Sequence, residues 1–137
     1  MLSIKKTNEF AEYWVKSSRE KRKTMESLYA SRRYADCLFF GHLILEKALK
    51  ALVVVKTRDH APYIHNLSRL ANLAGLEESE SIRILLARVS EFNLETRYPD
   101  VRLEFYRACT KQYADQFYQP ILDLHRELCR NVKQHRS

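Results

Sequence analysis

Apolar residues recur along this chain at steps of three and four, the spacing that places them on one face of a helix. The clearest stripe is Tyr34, Leu38, Gly41, Leu45, Ala48, Leu52 and Val55, widened by Cys37, Phe40, Ile44 and Ala51. A stripe that broad belongs to a central helix touched by several neighbours. Gly41 within it permits close approach of one of them, at a propensity cost of about 1 kcal/mol. Ahead of it the pattern predicts a helix opening after Thr7 as N-cap, with Phe10, Tyr13 and Trp14 on one side and Met25, Leu28 and Tyr29 further on. The stripe breaks at Ser17, Ser18 and Lys21, so this helix either bends there or runs past the core.

Residues 57 to 66, with Pro62, form the main loop, and Leu67, Leu70, Ala71 and Leu73 make a short helix stopped by Gly75. Ser79 is a suitable cap for the next, whose stripe is Ile82, Leu85, Leu86, Val89 and Phe92. The segment from Asn93 to Asp100 ends it, because Pro99 pushes residue 98 out of helical geometry, and a helix restarts at Pro99 or Asp100. Leu103, Tyr106, Thr110, Tyr113, Phe117, Ile121, Leu124 and Leu128 then continue as one long stripe, with a kink or restart expected at Pro120. Four long helices and a short one predict an all-α fold, an antiparallel four- to five-helix up-down bundle. Residues 1–137 read as a single domain with a C-terminal tail frayed from about residue 132.

Composition supports this reading. Two glycines and three prolines in 137 residues are too few turn residues for an antiparallel sheet or a Rossmann unit. The three cysteines are odd in number and sit inside helical patterns, which argues against a secreted disulfide framework. No apolar run approaches the roughly twenty residues of a membrane span and the start of the chain lacks a signal-peptide core, so no membrane association and a cytoplasmic location are expected. The formal charge is +7. Much of the excess lies in Lys16, Arg19, Lys21, Arg22, Lys23, Arg32 and Arg33. Such a cluster is either a solvated helix face or a surface that gains free energy by releasing counterions from a phosphate backbone.

Familiar catalytic signatures are missing. Gly41 and Gly75 stand alone, which excludes glycine-rich phosphate loops. The five histidines, His42, His60, His65, His125 and His135, and the cysteines show no metal-binding spacing, so neither a metal nor a bound cofactor is expected. Two segments nevertheless concentrate polar groups: the loop with Arg58, Asp59, His60, Tyr63, His65 and Asn66, and the run Glu95, Thr96, Arg97, Tyr98, Pro99 and Asp100. In the second, Arg97 and Tyr98 stand beside a new helix N-terminus, where free N–H groups favour a phosphate. Arginine would hold the phosphate in a bidentate grip and tyrosine could stack on a base. Alternatively, Arg97 pairs with Glu91, Glu95 or Asp100 and only fixes the turn. Glu46 and Lys50, four apart on the central helix, form a pair worth a few tenths of a kcal/mol if exposed.

Three segments in order, Gly41-His-Leu-Ile-Leu-Glu-Lys-Ala-Leu-Lys-Ala51, His65-Asn-Leu-Ser-Arg-Leu70 and Phe92-Asn-Leu-Glu-Thr-Arg-Tyr-Pro-Asp100, resemble the HEPN domain family over roughly residues 7 to 125. The resemblance implies a helical bundle, a homodimer, and a minimal nucleotidyltransferase as partner in a toxin–antitoxin-like pair. Some relatives are metal-independent ribonucleases; others bind nucleotides or RNA without cutting. By similarity the ligand-binding positions are Glu46, Lys50, His65, Arg97, Tyr98 and Asp100, with Arg97 and His65 as catalytic candidates. The ribonucleases carry an arginine followed after four to six residues by a histidine, for phosphate binding and proton transfer. No histidine follows Arg97 at that distance. The resemblance therefore implies first a nucleotide- or RNA-phosphate-binding module, then a ribonuclease toxin, then a structural adaptor.

Overall fold

The computed structural model describes residues 1–136. Its elements are α1 (Ile4–Ala30), α2 (Tyr34–Thr57), α3 (Leu67–Leu73), α4 (Glu80–Ser90), a 3-10 turn (Leu94–Thr96), α5 (Pro99–Ala108), α6 (Lys111–Asp115) and α7 (Tyr118–His135). The fold is an all-helical bundle, with more breaks in its second half than the sequence pattern predicts.

α2 is the central helix. Sixteen of its 24 residues are buried, and α1 and α7 provide its two largest contact faces. The interior position of Gly41 has a direct reason. A Cβ built there would lie 2.8 Å from Ile121 Cδ1 and 3.0 Å from Met25 Cε, so the absent side chain is what lets α1 and α7 meet across α2. The α1–α2 connection is only three residues long, with Arg32 in the left-handed region (φ 64°). Its strain is offset by hydrogen bonds from Arg32 N to Tyr29 O and from Arg33 N to Leu28 O, which satisfy the end of α1. Arg58, also left-handed (φ 53°), ends α2; its carbonyl accepts from Leu2 N and its guanidinium donates to Leu2 O.

α1 begins earlier than its sequence implies. Ser3 is the N-cap, accepting from Lys6 N at 3.1 Å, and Thr7 lies buried within the first turns, donating to Ser3 O. Two competent cap residues four apart are ambiguous in sequence, and the outer one was selected. The polar break at Ser17, Ser18 and Lys21 does not end the helix: Ser18 is fully buried and hydrogen-bonded. α3 and α4 begin where expected, capped by Asn66 and Ser79, and α3 is followed by Gly75 in the left-handed region.

The long stripe from Leu103 to Leu128 is split into three helices. Cys109 and Thr110 interrupt it, Thr110 caps α6, and α7 starts at Tyr118 with Pro120 in its first turn. The apolar positions stay in phase across the breaks because Phe92 gathers Phe105, Tyr113 and Phe117 around itself, ring centroids 5.2, 6.4 and 5.0 Å away. The tail expected to fray from about residue 132 is helical to His135, with Val132 buried. No helix among the described residues is long and apolar enough to cross a membrane.

Candidate functional site

The middle of α2 carries a polar cluster where an apolar helix face would be expected. Glu46 and Lys50 are both buried, 7% and 4% exposed, so the few tenths of a kcal/mol of an exposed pair does not apply to them. Lys50 Nζ donates to Glu46 Oε2 at 3.1 Å. Lys50 also faces the rings of Trp14 from α1, at 5.3 Å, and of Tyr63 from the loop, at 5.7 Å. Its charge is therefore held by one carboxylate and two aromatic faces, which offsets much of the cost of taking it out of water.

The other carboxylate oxygen of Glu46 accepts from His65 Nδ1 at 3.1 Å. That bond places a proton on Nδ1 and leaves Nε2 outside the Glu46 contact, on a side chain 43% exposed. The His65 backbone is fixed as well, since His42 Nε2 donates to His65 O at 3.0 Å. Burial pushes the fully buried His42 below its ordinary pKa, so it is the neutral form that donates here, with Nδ1 left unpartnered. Loop residues 58–66 are thus stitched to α2 by side-chain and backbone bonds to one residue. Of the other polar groups in that loop, Arg58 serves the α2 terminus and His60 lies tilted against Phe10, ring centroids 5.1 Å apart.

Glu95, in the 3-10 turn, lies close enough to His42 to act on its ring electrostatically, so the second polar segment approaches the same cluster. Two residues on, Arg97 has an exposed side chain that enters no ion pair or side-chain hydrogen bond among the described residues. Glu91, Glu95 and Asp100 leave it unpaired. Tyr98 is 79% exposed and is the N-cap residue of α5, with no side-chain cap bond, while Pro99 and Asp100 occupy the first turn. The free N–H groups of that turn, the guanidinium and an exposed phenol ring share one end of α5. The other two tyrosines differ in role: Tyr106 donates to Asp36 at 2.6 Å, tying α5 to α2, and Tyr113 belongs to the Phe92 cluster.

α5 stands out for a second reason. None of its ten residues is buried, and Val101, Leu103 and Tyr106 are 44%, 50% and 44% exposed. Sequence periodicity could not show this, since the same residues would read identically on a helix packed against the core.

Fold and cluster together define a helical-bundle domain with a polar centre on its second helix and an open arginine before a late one. The HEPN domain profile matches residues 11–132, and the chain belongs to the HEPN domain family. Among solved structures, TT1696 from Thermus thermophilus shares the fold, with a TM-score of 0.70 and 23% identity over 91% of this chain and 97% of that one. A search of curated proteins finds no match.

Proposed function

We propose that this HEPN domain is a homodimeric nucleotide- or RNA-binding module, acting as partner of a minimal nucleotidyltransferase in a toxin–antitoxin-like pair. The observation that carries the reading is Arg97: an exposed guanidinium with no carboxylate on it, beside exposed Tyr98, at the start of α5. A phosphate docked there would meet a bidentate donor and the positive end of a helix, and Tyr98 would offer a face to a base. Asp100, in the same first turn, offers a carboxylate that can accept from a ribose hydroxyl. Glu46 and Lys50 position His65 and are too deeply engaged to leave for a ligand. The apolar surface of α5 supports the homodimer, since Val101, Leu103 and Tyr106 stay exposed in one chain and gain by packing against a second copy. Isothermal titration with ATP and with a short RNA at low salt tests the reading. Micromolar binding of either is expected, and binding of neither removes the proposal.

One observation favours a ribonuclease reading as well. The Glu46 carboxylate engages His65 through Nδ1 and leaves Nε2 uncommitted on a partly exposed ring, an arrangement suited to proton transfer. In this reading His65 takes the place of the histidine missing after Arg97. RNA cleavage in the presence of chelator that is abolished by His65→Ala and Arg97→Ala supports it; cleavage unchanged in the double variant defeats it.

A further inference from the structure

α1 and α7 run antiparallel along one flank, and their register is fixed by a buried polar chain. Arg22 donates to Leu122 O at 3.0 Å and to His125 Nδ1 at 3.1 Å. An arginine is always a donor, so Nδ1 is the acceptor, His125 is neutral, and its Nε2–H donates to Ser18 Oγ at 2.8 Å. Ser18 in turn donates to Val15 O. At the far end Arg136 meets Glu12 at 3.7 Å. Between these points lie two adjoining hollows of about 390 and 410 Å³, which share Arg19, Cys129 and Lys133 in their walls.

The walls are cationic on both sides: Lys16, Arg19 and Arg22 from α1, and Arg126, Arg130 and Lys133 from α7. Arg22 is occupied by its buried partners and by Glu26, and Arg126 by Asp123. Lys16, Arg19, Arg130 and Lys133 are exposed and enter no ion pair among the described residues. Burial, together with Arg22, Arg19 and Arg126, holds His125 down at a pKa of about 4. The positive charge of the cleft is therefore carried by permanent cations over a neutral floor.

We propose that the α1–α7 cleft is a second binding surface, separate from Arg97, that tracks the phosphate backbone of single-stranded RNA without reading its sequence. A groove with cations on both walls suits a strand lying within it, whereas a flat anionic bilayer would reach only the rims. At 1.5 Å rise per residue, the ten steps from Glu12 to Arg22 give a track of roughly 15 Å.

The test is fluorescence anisotropy with a labelled oligo-uridine RNA across a salt series, comparing wild type with Arg19→Gln/Lys133→Gln. Four free cations correspond to a slope of log K on log salt of roughly −3 for a single strand, and losing two lowers it by about 1.4. With the salt-independent part unchanged, the double variant binds about 25-fold more weakly at 100 mM salt. Arg69→Gln/Arg83→Gln removes equal charge from α3 and α4 and should cost far less. Equal losses in the two double variants, or an unchanged slope in the cleft variant, overturn the proposal, as does tighter binding to phosphatidylserine vesicles than to RNA. Arg97→Ala keeps the two sites apart: loss of ATP binding with an intact RNA salt slope leaves the cleft standing, and loss of the slope there refutes it.

Discussion

Replacing Glu46 with glutamine tests whether the buried pair on α2 is what holds the site together. The substitution keeps the shape and an acceptor for His65 but leaves the Lys50 ammonium, 4% exposed, without its counter-charge at 3.1 Å. Removing one partner of a buried ion pair costs about 3–5 kcal/mol. The rings of Trp14 and Tyr63 remain against Nζ and retain about 1–2 kcal/mol of that, so the expected loss is about 3 kcal/mol. An unfolding entropy of about 2.1 cal/mol/K per residue makes that a fall in Tm of roughly 10 °C for a domain of this size. Lys50→Met should lose a similar amount by stranding the carboxylate. Glu46→Gln combined with Lys50→Met should recover most of it, because neither charge is then left buried without its partner. Urea denaturation of the four proteins as a double-mutant cycle measures the coupling. Single variants that each lose under about 1 kcal/mol and simply add in the double would refute the claim that the pair is buried and interdependent.

Gly41→Ala should cost about 1–3 kcal/mol in the same assay, since the new methyl forces Ile121 and Met25 to yield; an unchanged midpoint would mean that α1 and α7 do not meet over that residue. His125 binds a proton near pH 6.5 when unfolded but only near 4 when folded. The unfolded state thus takes up more protons as pH falls through that window, and stability present above about pH 6.5 is lost toward pH 4. At 1.36 kcal/mol per pH unit the loss is about 3 kcal/mol, and His125→Gln should flatten that part of the pH–stability curve measured by denaturation. Leu103→Glu on the exposed face of α5 should convert a dimer into a folded monomer in sedimentation velocity; a dimer that survives it would place the interface elsewhere.

α2, α3 and α4 were legible because apolar stripes, the Ser79 cap and the stop at Gly75 all agreed. The second half misled because the apolar positions from Leu103 to Leu128 stay in helical phase while the backbone breaks at Cys109 and again before Tyr118. The family was legible from Glu46-Lys-Ala-Leu-Lys-Ala51 and Arg97-Tyr-Pro-Asp100, but the state of those residues was not. Spacing of four makes Glu46 and Lys50 a pair on any helix; only the packing of neighbouring elements around α2, Trp14 of α1 among them, decides that the pair is buried. Likewise Arg97 has three acidic residues nearby in sequence, and its freedom from them is a tertiary fact. The basic run in α1 was visible, whereas its opposite wall, Arg126, Arg130 and Lys133, lies about a hundred residues away and joins it through Ser18 and His125.

The most direct test of an open, phosphate-gripping Arg97 is a paired measurement on Arg97→Ala: thermal unfolding and calorimetric titration with ATP on the same preparation. A charge-assisted bond worth about 1.5–3 kcal/mol predicts an affinity loss of roughly ten- to hundred-fold with Tm unchanged. A lowered Tm with wild-type ATP affinity would contradict it, and would make the guanidinium a brace for its turn.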